Sequence, residues 1–246
     1  MDQKIYRQMR ELEDRHWWFA GRRQIVDKML ASLDLPERAR ILDAGCGTGG
    51  NLQLLSRYGE VTGVELDDGA AALARERGPW NIFKGSLPNA MPFSGERFDL
   101  IVLLDVLEHI KDDGASLRTL SDLLAPGGYL VLTVPAFPFL WSRHDVVHHH
   151  QRRYRAAGLR DLIGNAGLQL SYMSYFNTWL FPLIAAMRLT HKIFPSNEGG
   201  RDVSMPGPAV NSLLQALFSS ERRWIGKLKM PFGVSLLAVT RKVSAS

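Results

Sequence analysis

Cysteine is almost absent from this chain: Cys46 is the single one among 246 residues. One thiol excludes an internal disulfide framework and a thiolate zinc cluster, and it suits a reducing compartment, so the cytoplasm is the expected location. Long hydrophobic runs are missing as well. The longest, Trp179 to Met187, falls far short of the roughly 20 residues that span a bilayer, and Pro182 interrupts it. Residues 1–15 are dense in charge and lack the apolar stretch of a secretory signal, so export by that route is not expected. There is no internal repeat and no low-complexity tract.

What is present is ordinary globular composition, with 46% hydrophobic and 22% charged residues. The length suits one large domain, or one domain carrying an insertion. A net charge of +5 is compatible with nucleic acid, a membrane surface or an anionic substrate, and by itself selects none of them. Its position says more. Residues 177–230 hold seven Lys/Arg against three acids, so most of the excess is local.

Ile5, Met9, Leu12, His16 and Phe19 recur at steps of four and three, one face of an amphipathic helix running towards Leu33. This defines an N-terminal helical cap over residues 1–35. Beyond Pro36, apolar strands alternate with helical segments: strands at 41–45, 60–65, 81–85, 98–104, 128–134 and 168–175, helices at 50–58, 68–77, 113–124 and 156–166. Such alternation predicts an α/β, doubly wound, Rossmann-like parallel sheet within residues 36–246. A Pro126-Gly127-Gly128 turn separates helix 113–124 from its strand. Residues 177–230 break the rhythm and read as an insertion before a last strand at 235–240.

The most informative segment is Ile41-Leu-Asp43-Ala-Gly45-Cys46-Gly47-Thr-Gly49-Gly50, followed by Glu65 at the end of the next strand. Glycines between a strand and a helix let backbone approach a ligand, and an acid about twenty residues later accepts from ribose hydroxyls. Gly45, Gly47 and Gly50 also satisfy the nicotinamide fingerprint G-x-G-x-x-G. Asp43 argues against that reading, because a carboxylate beside the loop repels a pyrophosphate. The ammonium and sulfonium of S-adenosylmethionine (SAM) are instead attracted by it.

Four motifs in order, Asp43 to Gly49, Gly63-Val-Glu65, Phe98 to His109 and Leu124-Ala-Pro126-Gly127-Gly128, make the chain resemble the class I SAM-dependent methyltransferases. The likeness is particularly to the large group that includes the quinone-biosynthesis O-methyltransferases, and His16-Trp17-Trp18-Phe19 with Arg152-Arg153-Tyr154 adds a likeness to bacterial natural-product and glycan-pathway enzymes. The resemblance implies a seven-stranded sheet and SAM as cofactor. The loop at Gly45, Cys46 and Gly47 would pass under the methionine part, Glu65 would take the ribose, and Leu66 would lie against adenine. Where the family has an acid after the third strand, Ser86 stands here, so Ser86 and Leu87 become candidates for the adenine contact. Asp105 would face the methyl group.

By the same resemblance, the N-terminal helix closes over the cofactor, with Trp18 and Phe19 excluding water and Arg22 pairing with the SAM carboxylate. After the fifth strand, residues 135–154 are expected on the acceptor side, bringing Trp141, His144, His150, Arg152, Arg153 and Tyr154. Asp105, His109, His144 and His150 are the candidates for removing a proton from an acceptor hydroxyl. Phe181 in the apolar 176–188 segment adds a wall for a hydrophobic acceptor. Adjacent histidines rarely converge on one ion without a scaffold, so no metal is assigned.

The sequence therefore predicts a SAM-dependent methyltransferase acting on an oxygen of a small hydrophobic or lipid-like metabolite, with peripheral membrane contact through 176–188. Carbon or nitrogen methylation, or a catalytically silent SAM-binding protein, remain as alternatives. Asp105-Val-Leu-Glu108 stands where nucleic-acid methyltransferases carry Asn-Pro-Pro-aromatic, so no nucleic-acid partner is expected.

Overall fold

The computed structural model describes residues 10–193 and 205–243. Ile5 and Met9 of the N-terminal periodic face, and Glu198, Arg201 and Asp202 of the basic segment, lie outside the described residues. Seven strands form one sheet: β1 (Ala39–Ala44), β2 (Gly59–Glu65), β3 (Asn81–Lys84), β4 (Phe98–Leu104), β5 (Leu124–Pro135), β6 (Leu168–Phe176) and β7 (Ser235–Lys242). Their spatial order is β3-β2-β1-β4-β5-β7-β6. Neighbours from β3 to β5 pair in parallel, and β7 runs antiparallel to both β5 and β6. This is the doubly wound α/β sheet that the alternation predicts, except that antiparallel β7 makes it mixed rather than parallel throughout. The chain winds outward from β1 to β3 and then restarts at β4, so a crevice opens above the carboxyl ends of β1 and β4.

Helices cover both faces: α1 (Trp17–Leu30), α2 (Leu52–Leu55), α3 (Asp68–Arg75), α4 (Asp113–Leu123), α5 (Arg143–Val147), α6 (Ala156–Asn165), α7 (Phe181–Ile193) and α8 (Pro208–Ser220). The run Leu100 to Leu104 in β4 is apolar throughout because each face of the sheet is buried. Leu100 and Val102 join one core with Ile25, Met29 and Leu30 of α1 and Phe218 of α8. Ile101 and Leu103 join the other with Leu117 and Leu120 of α4 and Ile163 of α6.

Three elements differ from the sequence expectation, each for a physical reason. The N-terminal helix is broken: residues 10–15 are helical, His16 is extended, and α1 starts at Trp17. The amides freed by the break find partners, since Trp17 N donates to Asn211 Oδ1 of α8 at 2.9 Å and Trp18 N to the His16 ring. The expected helix 50–58 shrinks to α2, because Gly49 and Gly50 shape its entry and Tyr58 turns out to donate its hydroxyl to Asp27 O of α1. Pro126, Gly127 and Gly128 lie inside β5, whose pairing with β4 skips from Leu124 to Tyr129 around them.

Between β6 and β7 stand α7 and α8. Helix α8 packs on α1 so closely that a side chain at Gly21 would run into Phe218. Trp18 stacks on Phe218 at 5.1 Å between ring centres and on Phe176 at 6.1 Å. No helix among the described residues is long and apolar enough to cross a membrane.

Candidate active site

Four segments converge above the switch between β1 and β4. The first is the glycine loop after β1. Gly45 adopts φ +88°, and a Cβ there would lie 2.8 Å from a Val106 methyl, so both conformation and space demand glycine. Gly45 N and Cys46 N both donate to Val64 O, which ties the loop to β2.

At the end of β2, Glu65 takes Gly47 N on Oε2 and Asp67 N on Oε1, each at 2.9 Å. Its carboxylate is therefore held rigidly at the cavity wall, with Leu66 exposed beside it. Burial and the neighbouring carboxylates Asp43, Glu65 and Glu13 push the Cys46 thiol well above its ordinary range, so it is no nucleophile.

The third segment follows β4. Asp105 sits at φ +57°, an uncommon conformation for a residue with a side chain. Its carboxylate accepts from Thr133 Oγ1 at 3.0 Å and forms an ion pair with Arg22 of α1. A short 3₁₀ turn, Leu107–His109, then presents Glu108 and His109. Burial first, and the Asp105 charge second, raise the Glu108 carboxyl well above its usual range, and its Oε2 is buried without a hydrogen-bond partner.

The fourth segment is α5 and the turn behind it. Asp145 is fully buried and accepts from Arg153 Nε at 2.7 Å and Ser142 N at 2.8 Å, with His150 Nδ1 at 2.9 Å. Burial alone would raise Asp145, but its bond with His150 and the Arg153 guanidinium outweigh that and keep it ionised. The rings of His144, His148 and His150 gather within about 6 Å of one another. Burial lowers His144 to about 3 and His109 to about 4, so both rings are neutral at pH 7. The accessible side of His109 opens into the cavity, whose protein walls disfavour a charged ring.

These segments enclose one cavity of about 1180 Å³. Of the residues expected in the site, Arg22, Gly45, Cys46, Gly47, Glu65, Leu66, Ser86, Leu87 and Asp105 line it, as do Trp18, Phe19, His109, His144, His150 and Arg153. Asp43, Gly49, Trp141, Arg152, Tyr154 and Phe181 do not. Gly49 faces Leu52 and Ala74 behind the loop. Arg152 pairs with Asp113, which also accepts from the Tyr154 hydroxyl, and Phe181 packs on Phe137 and Phe232.

Leu180, Leu183, Ile184, Met187 and Arg188 of the expected 176–188 wall line the cavity, and so do Glu13, Thr48 and Asn51, to which sequence reasoning gave no role. Glu13 reaches over the loop to accept from the Thr48 hydroxyl. No local signal marks that contact, because it joins a helix to a loop 35 residues away.

Asp43 lies beneath the loop, 1% exposed, with Oδ2 unpartnered. Burial raises it to about 7. A carboxyl whose folded pKa is raised binds more protons folded than unfolded, so its contribution to stability declines as pH rises from about 4 to about 7. Asp43→Asn is expected to flatten that slope and to be more stable than wild type at pH 8, by up to about 4 kcal/mol. Thermal unfolding of both proteins at pH 5 and pH 8 measures this, and an equal slope in the two would remove Asp43 as its source.

A family model described as a methyltransferase domain matches residues 15–172. Trans-aconitate 2-methyltransferase of Variovorax paradoxus is 30% identical over 177 residues, 69% of this chain and 66% of that protein. Ubiquinone biosynthesis O-methyltransferase of Xanthomonas axonopodis pv. citri is 30% identical over 158 residues, 56% of this chain and 66% of its own. The matches thus span just under two thirds of those relatives' length. The solved structure of a SAM-dependent methyltransferase from Mesorhizobium loti superposes with a TM-score of 0.58 at 16% identity, covering 88% of this chain and 95% of that one. The chain belongs to the methyltransferase domain family, a class whose cofactor is SAM.

The residues present fit that cofactor. Glu65, its carboxylate fixed by Gly47 N and Asp67 N, stands at the cavity wall beside the glycine loop, where the ribose of that cofactor needs an acceptor.

Proposed function

We propose that the protein transfers the methyl group of SAM to an oxygen of a small, largely apolar metabolite. The observation that carries this reading is a single cavity with two unlike ends. One end is the glycine loop with Glu65 and Leu66. The other is the histidine cluster beside Leu180, Leu183, Ile184 and Met187. Pockets for one small ligand occupy roughly 300–1,000 Å³, so about 1180 Å³ suits a cofactor and an acceptor together.

Glu65 would hold the ribose, Leu66 and Leu87 the adenine, and the backbone at Gly45 and Gly47 the amino-acid part. When bound, SAM supplies an electrophilic methyl group on its sulfonium. Arg22 fixes the Asp105 carboxylate at the centre of the cavity, which sets where a positive centre is favoured. Trp18 and Phe19 exclude water above it. His150, its Nδ1 held by Asp145, lines the acceptor end, where a hydroxyl would be aligned and desolvated.

Exposed Trp179, Leu183, Met187, Leu213 and Leu217 around this end, with Arg222 and Arg223 nearby in sequence, suit an acceptor taken from a membrane surface. The test uses labelled SAM with phenolic and aliphatic hydroxy compounds, in buffer and with anionic vesicles. Label transfer to oxygen, faster with vesicles for the apolar acceptors, is expected. Transfer only to carbon or nitrogen would contradict it.

A further inference from the structure

We propose that Glu108, His109 and His150 form a binding site for a divalent transition-metal ion of the zinc class, at the acceptor end of the cavity. One carboxylate oxygen of Glu108 and one ring nitrogen of each histidine lie within 4.8 Å of one another. The ligands come from two segments, the turn after β4 and the turn after α5. That supplies the scaffold which a run of neighbouring histidines lacks on its own.

A second, independent observation points to a ligand. Glu108 is 1% exposed, yet its Oε2 has no hydrogen-bond partner. A buried carboxylate oxygen left unpaired is costly, and a cation is the partner that removes the cost. Asp105 adds negative charge beside Glu108, partly offset by Arg22 and Arg153, neither of which bonds to its free oxygen.

The outer partners of the histidines are also those a metal site requires. His150 Nδ1 lies 2.9 Å from the ionised Asp145, so Nδ1 is taken by that carboxylate and Nε2 is the nitrogen left to face an ion. His109 hydrogen-bonds to the backbone of His148, which occupies one of its ring nitrogens in the same way. Metal-bound histidines regularly donate their second nitrogen to a carboxylate or carbonyl. Two imidazoles and one carboxylate select zinc, iron, cobalt or manganese over magnesium or calcium.

Bonds of about 2.0–2.1 Å bring such ligand atoms to roughly 3.4 Å apart, so closure by somewhat over 1 Å is needed. His109, the exposed member, would supply it by a side-chain adjustment, while His150 is held by Asp145. Three protein ligands leave positions open towards the cavity. An acceptor hydroxyl bound there would lose its proton more readily, the proton passing to water and the metal keeping its oxidation state. This role for the ion rests on the methyl-transfer reading, but the site itself does not.

The test is a Co²⁺ titration of untagged protein, followed by visible absorption, with S-adenosylhomocysteine binding measured in parallel by calorimetry. One equivalent of Co²⁺ should give d–d bands that Zn²⁺ abolishes. Glu108→Gln and His109→Ala should each weaken binding at least about tenfold, and His149→Ala, at an exposed ring outside the triad, should leave it unchanged. Circular dichroism confirms that each variant is folded, and His109, being exposed, keeps the test open if Glu108→Gln is not. No cobalt spectrum, or one that survives both triad variants or is lost with His149→Ala, overturns the site. Should S-adenosylhomocysteine still bind in that case, the methyltransferase reading stands without the metal.

Discussion

Glu65→Ala is expected to weaken binding of S-adenosylhomocysteine about ten- to a hundredfold, because hydrogen bonds to a charged group contribute about 1.5–3 kcal/mol each way a partner is lost. The carboxylate does two things. It would accept from the ribose hydroxyls, and it holds the glycine loop through Gly47 N and the start of α3 through Asp67 N. Glu65→Gln separates the two roles: its amide oxygen still accepts one backbone N–H, but the charge is gone. Intermediate affinity is therefore expected for the glutamine variant, measured by calorimetry against wild type. Unchanged affinity in a folded Glu65→Ala protein would take Glu65 out of the site.

The largest loss of stability is expected from Asp145→Ala. Asp145 is completely buried, and the Arg153 side chain it binds is 2% exposed. Removing one member of such a pair leaves an uncompensated buried charge, which costs about 3–5 kcal/mol. Arg153 keeps its bond to Ala136 O and lies near Glu108, so the lower end of that range is expected. For a chain of this size the melting temperature should fall by roughly 10 °C. The sign with pH follows from the carboxylate being held below its usual range. Its stabilising contribution is present above about pH 4 and lost as pH falls through the depressed value. The gap between wild type and variant should thus close as the pH falls into the acid range. A gap below about 2 °C at pH 7 would mean that the pair adds little beyond its own desolvation.

What the sequence made legible was local. The glycine loop, Glu65 and Asp105 each sit at a strand end that their own neighbours define, and the apolar runs of β1, β2 and β4 set the alternation of the sheet. The long-range pairings were not legible. Arg22 meets Asp105 across 83 residues and Trp17 meets Asn211 across 194, and neither carries a mark in the chain near it. The break at His16 is hidden for the same reason, since the helical periodicity continues through it and only Asn211 makes it affordable.

The loop from 135 to 154 shows the limit most clearly. Its residue types suit a binding site throughout, yet only part of it turns to the cavity. Asp145 draws Arg153 and His150 inward, whereas Asp113 draws Arg152 and Tyr154 to the far side. Which arginine of an adjacent pair finds which acid depends on where α4 and α5 stand, and that is a property of the packed sheet.

The most direct measurement of the central claim is a calorimetric titration of the untagged protein with S-adenosylhomocysteine, alongside NADH. Saturable binding of one S-adenosylhomocysteine per chain, weakened by Glu65→Ala and with no heat from NADH, is the predicted result. Tight NADH binding with no response to S-adenosylhomocysteine or SAM would contradict it.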